Sequence, residues 1–90
     1  KPILNQQKMI YAHIILIELI MITIDKIKIG LKEAIEKSGK TQKEIAEKLS
    51  VTQSCIAHYV KGDIVPALDT FANLCKVIDV SADDILCIDD

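Results

Sequence analysis

TQKEIAEKLSVTQSCIAHYVKG, residues 41–62, is the stretch that decides the fold. Ile45, Ala46, Leu49, Val51, Ile56 and Tyr59 fall on helical spacings, but the phase switches at Ser50–Val51. A straight helix would send the two sets to different sides. Two short helices joined by a tight turn bring both to one core. The small Ala46 lets those helices cross closely. Left outside on the second helix are Gln53, Ser54, Ala57, His58 and Lys61, which are short, uncharged or basic. Such side chains can reach base edges in a DNA groove. The stretch therefore reads as a helix-turn-helix.

Local signals extend this reading in both directions. Thr41 caps the second helix, and Glu44 three residues on completes a capping box. Thr52 caps the third helix and Gly62 terminates it. Upstream, Thr23 or Asp25 caps a first helix that runs to Lys37, with Ile27, Leu31, Ala34 and Ile35 inward, and Ser38–Gly39 ends it. Gly30 in its middle costs about 1 kcal/mol relative to Ala, which points to a close helix approach. Downstream, Pro66 closes a loop before a fourth helix, Leu68–Ile78, with Leu68, Phe71, Leu74, Cys75 and Ile78 inward. Ser81 and Asp84 form a second capping box for a short fifth helix, Ala82–Cys87. The expectation is an all-α fold of five helices in one domain, residues 23–88.

Ninety residues suit a single core without disulfide staples. Half of them are apolar but only three are aromatic, so Ile, Leu, Val and Ala must fill that core. The net charge of −2, taken alone, argues weakly against a nucleic-acid partner, but its distribution says otherwise. Residues 1–62 carry ten Lys against six carboxylates, a net +4, whereas residues 63–90 carry Lys76 against seven Asp, a net −6. A basic front and an acidic tail suit a DNA-facing end and a far end. All eleven basic residues are Lys. The Arg fork that grips guanine is therefore missing, and base reading must rest on Gln, Ser, His and methyl contacts, which favours A·T-containing sites.

Cys55, Cys75 and Cys87 are widely spaced, with no zinc-ligand pattern. Cys55 and His58 lie three apart on the third helix, but the pairing reads as a small packing residue beside an outward imidazole. No metal or other cofactor is expected, and the thiols should be reduced, as in a cytoplasmic protein. A nucleophile–base pair and a Gly-rich phosphate loop are also missing, so an enzyme is not expected.

The first 22 residues stand apart. Met9–Ile24 is intensely apolar, interrupted by His13, Glu18 and Thr23. It is too short and too broken to span a membrane. Polar positions five apart define neither a helical nor a strand face; Ile richness favours a strand and length a helix. Such a segment should pack on the domain or on another subunit. It is either an oligomerisation arm or an extension from upstream of the natural start, with Met21 a sensible first residue.

From about Ile27 to Leu86 the sequence resembles the lambda-repressor/Cro-like (XRE-type) helix-turn-helix regulators. The matching landmarks are Thr41–Gln42, IAEKL (45–49), SVTQSCI (50–56), KGDIVPALDTFANLCKVIDV (61–80) and SADDIL (81–86). Two positions depart from the pattern. Ser50 stands in the turn where the family usually has Gly, so a left-handed geometry there costs about 1 kcal/mol or is relaxed. Ala67 stands where a Ser or Thr usually caps the fourth helix. The resemblance implies a sequence-specific transcriptional regulator, expected to be a repressor, that places helix 53–61 in the major groove. Base contacts are expected from Gln53, Ser54, Ala57 and His58, and phosphate contacts from Gln42, Lys43, Thr52 and Lys61. The expected partner is double-stranded, pseudo-palindromic DNA bound by a homodimer, with no small-molecule ligand and no membrane. Because the sequence ends just after the fifth helix, no ligand-sensing or protease-like domain is expected. Two other roles fit the same residues: a protein-interaction module using the helix-turn-helix and the apolar arm, and an antitoxin or prophage-type regulator acting with a neighbouring gene product.

Overall fold

A computed structural model describes residues 8–13, 15–16 and 21–88. The polar opening at 1–7, the Glu18 interruption of the apolar run and the last two acidic residues lie outside the described residues. The domain consists of α1 (Ile24–Lys37), α2 (Gln42–Leu49), α3 (Gln53–Lys61), α4 (Leu68–Val77) and α5 (Ala82–Leu86). No strand occurs among the described residues. The all-α expectation holds, and four of the five helix starts are capped by the side chains expected of them. Thr23, Thr41, Thr52 and Ser81 each accept a backbone N–H of the first turn. Ala67 offers no such bond at the start of α4. Inside that first turn, the Thr70 N–H instead donates to Asp69 Oδ1 at 2.8 Å.

Both expected capping boxes are incomplete. Thr41 Oγ1 accepts from the Glu44 N–H at 3.1 Å, but the Glu44 carboxylate accepts no reciprocal bond from the Thr41 N–H. Ser81 Oγ accepts from the Asp83 N–H at 3.3 Å, one residue earlier than the box requires, and leaves Asp84 unused by the cap. In a helix as short as α5, the Ser81 carbonyl already takes the Asp84 N–H at 3.1 Å.

The core is formed by Leu31, Ile35, Ile45, Ala46, Ile56, Tyr59, Phe71, Leu74, Cys75, Ile78 and Ile85, all buried. α1 packs on α3 and α5, and α2 packs on α3 and α4, so the helix-turn-helix is held from both sides. Gly30 is explained by the first of these contacts. A Cβ there would lie 2.8 Å from the Ile85 carbonyl oxygen, so only glycine lets α1 approach α5 this closely. Leu68 is a correction: expected inward, it is 86% exposed. It shares the spacing of Phe71, Leu74 and Cys75, but stands at the first position of α4, where no neighbouring element covers it.

For the arm, the structure narrows the alternatives. Residues 8–13 and 15–16 are helical, which settles the strand-or-helix choice for them. They do not pack on the domain: Met9, Ile10, Tyr11, Ile15 and Leu16 are all more than half exposed. No described helix is long and apolar enough to cross a membrane.

Candidate nucleic-acid interface

The turn between α2 and α3 fixes the direction of the candidate reading helix. Ser50 adopts φ 58°, ψ 41°, the left-handed conformation that glycine usually supplies. The left-handed turn satisfies helix-end carbonyls: the Val51 N–H donates to Ala46 O at 3.0 Å and the Ser50 N–H to Glu47 O at 3.3 Å. Two residues later Thr52 opens α3, its Oγ1 accepting the Cys55 N–H at 3.1 Å. That bond uses an acceptor lone pair and leaves the hydroxyl proton available to a phosphate oxygen.

α3 turns Ile56 and Tyr59 into the core and the opposite side outward. Gln53, Ser54, His58 and Lys61 are exposed and Ala57 is half-buried. Their spacing of three and four residues puts them on one continuous face. Tyr59 is core, as its apolar neighbours require. Burial, reinforced by its contact with the Cys55 thiol, pushes its phenol up to about 12.

The candidate phosphate-contacting residues are divided between two places. Thr41 caps α2, so Gln42 and Lys43 are its first two residues, with Gln42 half-buried and Lys43 exposed. The Glu44 and Ile45 amides are used by Thr41. Those of Gln42 and Lys43 remain at the open helix end, where an anion is favoured. Gln42 and Gln53 are not hydrogen-bonded to one another. Thr52 and Lys61 flank α3 at its two ends.

The structure adds a residue that the sequence reading missed. Gly62, at φ 85°, ends α3 and turns the chain back, and the Asp63 N–H donates to His58 O at 3.2 Å. The turn brings the Asp63 carboxylate onto the face of α3. Its Oδ2 lies 3.0 Å from His58 Nδ1 and 3.5 Å from Lys61 Nζ. The hydrogen bond from His58, followed by the charge of Lys61, lowers the Asp63 pKa below the ordinary carboxylate value. An ionised carboxylate only accepts, so His58 Nδ1 carries the proton, and a neutral ring keeps its lone pair on Nε2. The available signal was a glycine at a helix end followed by Asp, since such a turn returns the next residue to the last helical turn.

Beside this cluster, an open groove between α1 and the end of α3 is lined by Asp25, Lys28, Ile29, Lys32, Val60, Lys61 and Gly62. Lys28 and Lys32 therefore extend the basic edge of the face, a role invisible until α1 is placed against α3. Among the described residues there is no cluster of three or more His, Cys, Asp or Glu side chains that could hold a metal ion.

Comparison with known proteins gives the same reading. A helix-turn-helix family model matches residues 31–85, more than half of the chain. The HTH-type transcriptional regulator ImmR of Bacillus subtilis (strain 168) is 41% identical over 56 residues, which cover 62% of this chain and 44% of that regulator. The chain thus spans less than half the length of this curated relative. No solved structure matches. The matched family is one of regulators, not of enzymes. With a capped α2, a left-handed turn and an outward polar face on α3, this chain belongs to the XRE-type helix-turn-helix family of transcriptional regulators.

Proposed function

We propose that this protein is a sequence-specific DNA-binding repressor that inserts α3 into the major groove as a homodimer. The observation that carries the reading is the single outward face formed by Gln53, Ser54, Ala57, His58 and Lys61, directly after a capped turn. Gln53 stands at the first position of α3, the end that enters a groove first. Its amide can both accept from and donate to adenine. Ser54 supplies a short hydrogen bond, Ala57 a contact with a thymine methyl, and His58 a ring nitrogen. Gln42 and Lys43, with the open amides of α2, Thr52 and Lys61 hold the phosphate backbone on either side.

One module of this size buries about 600–1,000 Å² on DNA and binds weakly alone. Two copies on a pseudo-palindrome, with their α3 helices about 34 Å apart, solve that problem. The exposed arm, with Met9, Ile10, Tyr11, Ile15 and Leu16, is the proposed dimer element. Such a protein acts in the cytoplasm, where its DNA is. Selection from a random duplex pool tests the assembly: the reading expects two related half-sites about one helical turn apart. Removing residues 1–20 should lower the mass in solution and leave α1–α5 folded. A single half-site would overturn the homodimer, and an unchanged oligomeric state after the deletion would count against the arm as its dimer element.

The arm also favours a second reading, in which the exposed apolar side chains dock a partner protein. Salt separates the two. Neutralised phosphates make log affinity fall with log salt by roughly 0.9 per phosphate. An apolar docking surface shows almost no such slope.

A further inference from the structure

Asp63 puts a negative charge on a face whose other exposed groups are neutral or basic. It is not a loose loop residue, since the Gly62 turn and the bond from its N–H to His58 O fix its backbone against α3. Its carboxylate contacts two of the groups assigned to DNA at once, His58 Nδ1 at 3.0 Å and Lys61 Nζ at 3.5 Å. An anionic oxygen in that position has the same chemistry as a phosphate oxygen. The charged group in contact with it is Lys61 on α3, and the groove beside Lys61 and Gly62 is also lined by Lys28, Lys32 and Asp25 of α1.

We propose that Asp63 is a specificity-determining residue that stands in for phosphate at the end of α3. The proposal rests on α3 being the DNA-reading helix. Two consequences follow from one carboxylate. First, it occupies Lys61, so part of the attraction that this lysine would offer to any DNA is already satisfied inside the protein. Attraction to phosphate is shared by all sequences and carries no discrimination. Second, it holds His58 through Nδ1 and leaves Nε2 as the free ring position. A neutral imidazole so held presents an acceptor, which suits the exocyclic amino group of adenine or cytosine in the major groove. Asp63 thus lowers binding to DNA in general while fixing a group that only the right base edge can use.

The test is fluorescence anisotropy with two labelled duplexes of equal length, one selected from a random pool and one scrambled. Each is titrated at several salt concentrations with wild type, Asp63→Asn, Lys61→Ala and the double variant, and circular dichroism checks the fold of each protein. Asp63→Asn should raise affinity for the scrambled duplex several-fold. It should steepen the salt slope there by up to about 0.9, the value for one further phosphate. Preference for the selected duplex should fall several-fold, and the slope change should vanish in the Lys61→Ala background. Unchanged affinities and slopes would overturn the proposal, as would weaker binding to both duplexes by a folded Asp63→Asn protein. A slope change that survives Lys61→Ala would overturn it too. If the wild type prefers no duplex, the base-reading assignment and the specificity role fall together, while a persisting slope change on scrambled DNA would still show that Asp63 holds Lys61. No binding to any duplex overturns both.

Discussion

Two Ile-rich regions of one chain meet opposite fates. In the domain, Ile35, Ile45, Ile56, Ile78 and Ile85 are buried to 5% exposure or less. In the arm, Met9, Ile10, Tyr11, Ile15 and Leu16 also sit in helix, yet all remain more than half exposed. Hydrophobic content does not separate them. What differs is punctuation. Each helix of the domain is short, starts at a defined residue and is turned back at its end, so its apolar stripe has a facing stripe to meet. The arm has apolar residues on every side and no partner element within the described residues. Burial needs a shaped opposite surface, and only the domain supplies one.

This contrast can be broken from the domain side with large effects. Leu74→Ala removes a side chain with no exposed surface. It should cost about 2–5 kcal/mol in chemical unfolding. Raising the pH attacks the same core through Tyr59, whose phenol is pushed up to about 12 by burial. A raised pKa means that the fold favours the neutral phenol. That contribution is complete below pH 10, and by pH 12 a term on the order of 2–3 kcal/mol has been largely withdrawn. Absorbance titration of the Tyr11→Phe protein should therefore show its remaining tyrosine ionising late and together with unfolding. Ionisation near pH 10 in a folded protein would count against the burial.

Smaller changes sharpen the comparison. Gly30→Ala gains helix propensity but places a Cβ 2.8 Å from Ile85 O. The clash should win, with a net loss of about 1–3 kcal/mol and a lower Tm. A more stable variant would mean that α1 and α5 are not in such close contact. Ser50→Gly goes the other way, relieving a left-handed serine at φ 58° and stabilising by about 1 kcal/mol. Ile10→Ser in the exposed arm should move the unfolding midpoint by less than about 0.5 kcal/mol. A loss as large as that of Leu74→Ala would show that the arm is packed.

Much of this was legible in the sequence, for identifiable reasons. Thr41, Thr52 and Gly62 carry their signals in their own side chains or lack of one, so α2 and α3 begin, and α3 ends, where the residues say. Other helix ends carry no such mark. Asp79 and Cys87 adopt φ 56° and 61° after α4 and α5 without any glycine to announce it. Leu68 kept the right spacing but lay beyond the last covering surface, and spacing contains no information on where a neighbour stops. Within the candidate site, the outward row on α3 could be read from periodicity alone. Asp63, Lys28 and Lys32 could not, because their part depends on a turn direction and on a helix-to-helix placement.

In the proposed function α3 reads bases through Gln53, the residue that opens it. Anisotropy of wild type and Gln53→Ala on the selected and scrambled duplexes tests it most directly. Base reading by Gln53 predicts a loss of about 1–3 kcal/mol on the selected duplex with binding to the scrambled one intact. Equal affinity of the two proteins for the selected duplex, or equal losses on both duplexes, would contradict it.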